Sequence, residues 1–224
     1  MRKVHFTLPP LGYTYDALEP AYAHELLELH HADHHRAYVE GANRALEDLA
    51  DMRAGNDFRY INQLHKDLAF NLSGHVLHSI LWRNLAPNDG TLPTGRLETS
   101  IRAAFGSFDR FRHQFSAAGG ALQGSGWVTL AWEPTQGTLL IEQIHDHQDN
   151  AVIATAPLLV MDLWEHAYYL QYSNRKELWI LTFWDLINWG DVGRRLDNAA
   201  CADLGLDLLP RHDLRNVVTP FRRS

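Results

Sequence analysis

From Pro20 onward, apolar and aromatic positions recur at three- and four-residue steps, through Leu27, His30, His31, His34 and Tyr38 to Val39, Ala42, Leu46 and Leu49. That period marks one face of an α-helix, so the pattern predicts a single long helix, straight or kinked, running toward Asp51. Gly55-Asn-Asp57 supplies its stop. A second run from Tyr60 to Leu85, with Leu64, Leu68, Leu72, Leu77 and Leu81 as core contacts, predicts a second helix. Two long helices joined by a loop form an αα-hairpin. Ahead of them, Pro9-Pro10 and Gly12-Tyr-Thr-Tyr15 suit an extended leader with turns.

The pattern changes after residues 86–95, where Pro and Gly crowd into a linker. Leu97 to Phe105 and Phe108 to Ala118 read as short helices. Trp127 to Trp132 and Thr138 to His145 are β-rich and separated by a turn containing Pro and Gly, which predicts a hairpin. Pro157 to Met161 reads as a third strand. Helical stretches follow at 165–172, 176–186 and 191–202. The expected fold class is α+β: an N-terminal long helical hairpin plus a C-terminal domain with a three-stranded antiparallel sheet surrounded by helices. The hairpin domain is expected over 1–90, the α+β domain over 91–210, and a loosely ordered, arginine-rich tail over 211–224.

Composition narrows the function without naming it. Hydrophobic residues at 46% and charged residues at 21% suit a globular protein with a real core. A net charge of −7 argues against nucleic acid as a partner. No apolar run reaches a membrane-spanning length, and the first twenty residues lack the apolar run of a signal peptide, so no membrane partner is expected. The single cysteine, Cys201, excludes an internal disulfide and a thiolate cluster. Any metal would then be held by nitrogen and oxygen, and a reducing, cytoplasmic setting is expected. The fourteen histidines cluster rather than scatter.

Asp162-Leu-Trp-Glu-His166 puts a carboxylate and an imidazole four residues apart at a strand-to-helix junction. Both can face one ion if a helical turn opens at the aspartate. Equally, an aspartate at a helix start is an ordinary cap for free backbone N–H groups. On the first long helix, His30, His34 and Tyr38 lie one turn apart, with His31 and His35 about a quarter-turn away. On the second, Gly74, His78 and Trp82 share a face. A glycine inside a helix costs about 1 kcal/mol relative to alanine, so it marks a place where something must come close. A rival class, the carboxylate-bridged di-iron bundle, uses Glu-x-x-His on helices. Glu28 with His31 fits, but Glu142 with His145 lies in a β-rich run, where i and i+3 point to opposite faces.

Taken together, His30-His31-Ala-Asp33-His34-His35-Arg-Ala-Tyr38, Gly74-His-Val-Leu-His78-Ser-Ile-Leu-Trp82, Phe105-Gly-Ser-Phe-Asp-Arg-Phe111, Gly124-Ser-Gly-Trp127 and Asp162-Leu-Trp-Glu-His166-Ala-Tyr-Tyr169 closely resemble the iron/manganese superoxide dismutases. The resemblance runs from Leu8 to about Leu196. It implies a superoxide dismutase with one Fe or Mn ion per subunit, the two metals being interchangeable in some members. It implies His30, His78, Asp162 and His166 as ligands, Tyr38 and His34 as the gate of the substrate channel, and Trp82, Trp127 and Trp164 as its apolar wall. In that family a glutamine reaches the coordinated solvent from the second helix or from the strand side. Here Gly74 closes the helix route, and the strand-side spacing falls on His147, with Gln148 as the alternative. Asp33 stands where many relatives carry lysine, so Arg175 is the matching candidate for attracting the anion. Glu165 and Tyr169 are implied to reach His166 and His34 of the partner subunit, making a homodimer, or a homotetramer built from it. A non-catalytic metal-binding homologue is the remaining alternative.

Overall fold

The computed structural model describes residues 5–87 and 91–202. The first arm comprises α1 (His24–Leu29), a six-residue π-helical segment (His30–His35) and α2 (Arg36–Gly55). These run on without a break, so the expected single helix is present with one wide turn at its four histidines. π turns inserted into α-helices are frequent at functional sites. The helix stops at Asn56, which turns left-handed (φ 50°, ψ 36°). The N–H groups of Asn56 and Asp57 then satisfy the carbonyls of Arg53 and Met52.

The second arm is α3 (Ile61–Asn84). Leu77, Ile80, Leu81 and Trp82 are buried, whereas Leu64, Leu68 and Leu72, expected as core, are only half-buried. That end of α3 packs on α2, while the inner end also packs on the sheet.

The remaining elements are α4 (Gly95–Phe105), α5 (Phe108–Ala121), β1 (Gly126–Glu133), β2 (Thr138–His145), β3 (Ala156–Asp162), a 3₁₀ turn (Glu165–Ala167), α6 (Tyr169–Tyr172), α7 (Lys176–Phe183), a second 3₁₀ turn (Trp184–Leu186) and α8 (Trp189–Ala200). The sheet is antiparallel in the order β2-β1-β3. Central β1 is buried from Gly126 to Trp132, which is why its sequence reads as a continuous apolar run rather than an alternating one. Helix α5 packs on β1 and β2, and α3 and α8 pack on β3. Phe111, Phe115, Leu130, Val160 and Phe183 are fully buried between these layers, each worth roughly 1.5–3 kcal/mol of apolar burial.

One side chain fastens the second arm to the sheet. Asn84, fully buried at the end of α3, accepts from the Val160 N–H at 3.0 Å and donates to the Leu158 carbonyl at 3.1 Å. It therefore occupies the free edge of β3 as a neighbouring strand would. Its amide also donates to Asp191 on α8 at 3.0 Å. The helix that carries His78 is thus fastened to the strand that ends at Asp162. The tail expected at 211–224 lies outside the described residues, as do 88–90 of the linker. Among the described residues no helix is long and apolar enough to cross a membrane.

Candidate metal centre

Asp162 is the last residue of β3 and pairs with Trp127 on β1. The expected helical turn at this aspartate is absent: Leu163 donates to the Gly126 carbonyl at 2.9 Å and Trp164 is still extended (ψ 143°). The helix expected over 165–172 is instead a 3₁₀ turn followed by the short α6. His166 sits in the 3₁₀ turn, with its side chain against the carboxylate. The capping reading is true of one oxygen only. Asp162 Oδ1 accepts from the Trp164 N–H at 2.9 Å, which leaves Oδ2 facing inward.

Three imidazoles converge on that oxygen. Nε2 of His30, His78 and His166 lies 3.2, 3.5 and 3.2 Å from Asp162 Oδ2. The four ligand atoms are all within 4.8 Å of one another, and His30, His78 and Asp162 are fully buried. His78 Nδ1 stands 2.6 Å from the Gly74 carbonyl, which can only accept, so Nδ1 carries the proton and Nε2 presents a bare lone pair. Nε2 of His78 and of His30 has no hydrogen-bond partner; the His30 contact with Asp162 lies off the line of a hydrogen bond.

Burial pushes His30 down to about 4 and His78 well below its usual range, so both are neutral near pH 7. Burial alone would raise the Asp162 carboxyl; His166, by charge and hydrogen bond, and His30 outweigh it and hold it well below the ordinary range. The His78 lone pair facing this buried carboxylate is a repulsive contact that a cation converts into an attractive one. The residues therefore fit a metal ion held by three nitrogens and one oxygen, a donor set suited to first-row metals, iron and manganese among them.

The surrounding side chains fix the ligands. Trp82 stands edge-on to His30 (4.9 Å between centroids) and Trp127 edge-on to His78 (5.0 Å). Trp164 stacks between His147 (4.6 Å) and His166 (5.4 Å). Trp127 Nε1–H donates to His147 Nδ1 at 3.0 Å, so neutral His147 carries its proton on Nε2. That Nε2–H is buried without a partner, the opposite polarity to His78. Burial pushes His147 down to about 4 and raises the Tyr38 hydroxyl well above its ordinary range. Gln148 turns its amide to the His147 backbone N–H (3.3 Å), and both residues line a cavity of about 230 Å³.

The remaining expected residues lie farther out. Half-buried His34 stacks on His166 at 4.4 Å. Exposed Arg175 donates to the Tyr172 carbonyl at 3.3 Å, which ties it to the turn before α7. Glu165 and Tyr169 are exposed. Glu142 and His145 lie on β2, so the second Glu-x-x-His match of a di-iron bundle has no helix to stand on.

The close approach expected at Gly74 is now specific: a Cβ there would lie 2.9 Å from Tyr38 Cγ and 3.3 Å from His147 Cδ2. Sequence reasoning missed Tyr22, whose hydroxyl meets His30 Nδ1 at 2.7 Å, and Trp179, whose indole donates to the Asp162 carbonyl at 2.8 Å. It also missed the run from Trp82 Nε1–H to His35 Nδ1 (2.9 Å) and from His35 Nε2 to His75 Nδ1 (2.8 Å). None of these pairs has a spacing that signals contact.

A helical hairpin docked on a three-stranded α+β unit, with three imidazoles and a carboxylate gathered at the seam, defines a single-ion metalloprotein. Two family models match it: the alpha-hairpin domain of iron/manganese superoxide dismutases over residues 5–86, and their C-terminal domain over 93–195. The chain belongs to the iron/manganese superoxide dismutase family. It is 49% identical over 199 residues to "Superoxide dismutase [Mn/Fe]" of Propionibacterium freudenreichii subsp. shermanii, covering 88% of this chain and 99% of that protein. It is also 49% identical over 201 residues to "Superoxide dismutase [Fe]" of Mycobacterium tuberculosis H37Rv, covering 90% and 97%. The same identity and coverage hold for "Superoxide dismutase [Mn]" of Mycobacterium leprae TN. Three metal labels at one level of identity mean that overall similarity does not select the metal.

Proposed function

We propose that this chain is a superoxide dismutase, converting two superoxide anions and two protons to dioxygen and hydrogen peroxide at one iron or manganese ion per chain. The observation that carries the reading is the buried Asp162 Oδ2 ringed by three imidazole Nε2 atoms, one of them locked as a lone pair by the Gly74 carbonyl. When bound, the ion supplies the one-electron couple. One carboxylate among neutral imidazoles under-compensates a divalent or trivalent ion, which leaves a positive site attractive to an anion.

The residues around the ligands then manage protons and access. His147 offers a buried Nε2–H, and Tyr38, kept protonated by burial, has its ring 4.5 Å from that of His147. We assign to these two the delivery of protons to the reduced product. The turned-away amide of Gln148 supports His147 over Gln148 in this role. His34, with Tyr38, gates the approach, and Arg175 steers the anion. Trp82, Trp127 and Trp164 exclude water and hold the ligand rings.

Exposure of Glu165 and Tyr169 beside a ligand supports a homodimer in which they meet the partner subunit, with a homotetramer as a further assembly. A single exposed cysteine agrees with an antioxidant enzyme of the cytoplasm. The hairpin domain is taken as residues 1–90 and the α+β domain as 91–210.

The test is superoxide decay after separate reconstitution with iron and manganese, with azide as a probe of an open coordination position. Azide-sensitive turnover with at least one metal is expected. A metal-loaded chain that removes superoxide no faster than the free ion would leave only a non-catalytic homologue.

A further inference from the structure

We propose that Tyr22 is the positioning residue for His30, and that the C-terminal half of the chain, by holding Tyr22, sets the orientation of this N-terminal ligand. The inference rests on reading His30 as a ligand. Tyr22 Oη and His30 Nδ1 are 2.7 Å apart, with both side chains buried. A His30 that holds a metal through Nε2, the atom 3.2 Å from Asp162 Oδ2, must carry its ring proton on Nδ1. In that tautomer Nδ1–H donates to the phenol oxygen 2.7 Å away, so the hydroxyl is the partner that holds the ring with its Nε2 lone pair turned inward.

Tyr22 lies in a turn ahead of α1, with no regular element to fix it. What fixes it comes from a stretch about 150 residues later in the chain, as the sequence separation of these contacts shows. Gln171 donates to the Pro20 carbonyl and accepts from the Ala23 N–H, both at 2.8 Å. Tyr172 Oη donates to the Ala21 carbonyl at 2.5 Å. The Tyr22 ring packs on Trp179 at 5.2 Å, and the Trp179 indole donates to the Asp162 carbonyl at 2.8 Å. Tyr22 is thus placed against His30 by the same tryptophan that steadies the backbone of Asp162.

The full chain, stripped of metal, is titrated with Mn(II) against a fluorescent chelator. Tyr22→Phe keeps the ring on Trp179 and removes only the hydroxyl; binding is expected to weaken about 10- to 100-fold, the usual consequence of losing the partner of a ligating histidine. Tyr13→Phe, which removes a hydroxyl bonded to the Trp82 carbonyl, is expected to leave affinity unchanged. The Mn(II) electron paramagnetic resonance spectrum should change in Tyr22→Phe and not in Tyr13→Phe. Gln171→Ala, which frees the turn, should weaken binding in the same direction by less.

Wild-type affinity and spectrum in Tyr22→Phe overturn the proposal. If that variant does not fold, a Gln171→Ala protein that melts earlier yet binds Mn(II) normally overturns it instead. A wild-type chain that binds no metal sinks the ligand reading itself, a result distinct from either.

Discussion

Replacing Gly74 with alanine sets two effects against each other at one position. Gly74 lies within α3, and alanine in a helix interior is favoured over glycine by about 1 kcal/mol. Against this, the new Cβ would lie 2.9 and 3.0 Å from Cγ and Cδ1 of Tyr38 and 3.3 Å from Cδ2 of His147. Cγ is the root of the Tyr38 ring, so it moves only if the side chain swings or α2 shifts. His147 is held by the Trp127 indole and by stacking on Trp164. Overpacking of this kind costs about 1–3 kcal/mol, so the clash wins and the net loss is about 1 kcal/mol. For a chain of this size that lowers Tm by about 2–4 °C. Gly120→Ala is the internal comparison: it lies on α5 with nothing within 4 Å of its added Cβ. Only propensity acts there, and Tm should rise by a similar amount. The assay is thermal denaturation of the metal-free chain followed by circular dichroism. Equal stabilisation by both substitutions would refute the reasoning, because Tyr38 and His147 would then not be pressed against the α3 backbone.

Three further outcomes are expected. Trp127→Phe removes the donor to His147 Nδ1; a buried acceptor left unpaired costs about 1–3 kcal/mol, and superoxide turnover should fall because the His147 tautomer is no longer imposed, whereas unchanged turnover removes His147 from proton delivery. Metal-free protein should lose stability as pH falls from about 6.5 toward about 4, because His30 and His147 are held near 4 when folded and bind protons more readily when unfolded. A shift of that size is worth up to about 3 kcal/mol per group; a flat profile of Tm against pH across this window contradicts it. Glu165→Ala should weaken subunit association in sedimentation and lower metal retention, and an unaltered dimer with full metal content would return Glu165 to a role within its own chain.

The hairpin and the sheet were legible because their patterns are long: two helical runs of about twenty residues, and strands bounded by Gly and Pro. The convergence of His30, His78, Asp162 and His166 was legible only through the family's motifs, since residues spread over four elements carry no common period. Where spacing was read literally, it misled. Asp162 and His166 stand four apart, which reads as a helical turn, yet pairing with Trp127 carries β3 through Asp162, and an extended Trp164 follows. The π segment at His30–His35 has no sequence signature. Its wide turn sends the four histidines to different neighbours: His30 toward Asp162, His31 to Tyr15 and the Pro9 carbonyl, His34 onto His166, and His35 to His75. Tyr22 and Trp179 were invisible for the same reason as the ligand set, because only the docked fold brings them together.

The central claim is that one ion is held by these four side chains. Elemental analysis of the chain purified from its own source, beside His78→Ala prepared in the same way, tests it most directly. One iron or manganese per wild-type chain, lost in His78→Ala while the protein stays folded, is the predicted result. Two ions per chain, or full metal content in the folded variant, would contradict it.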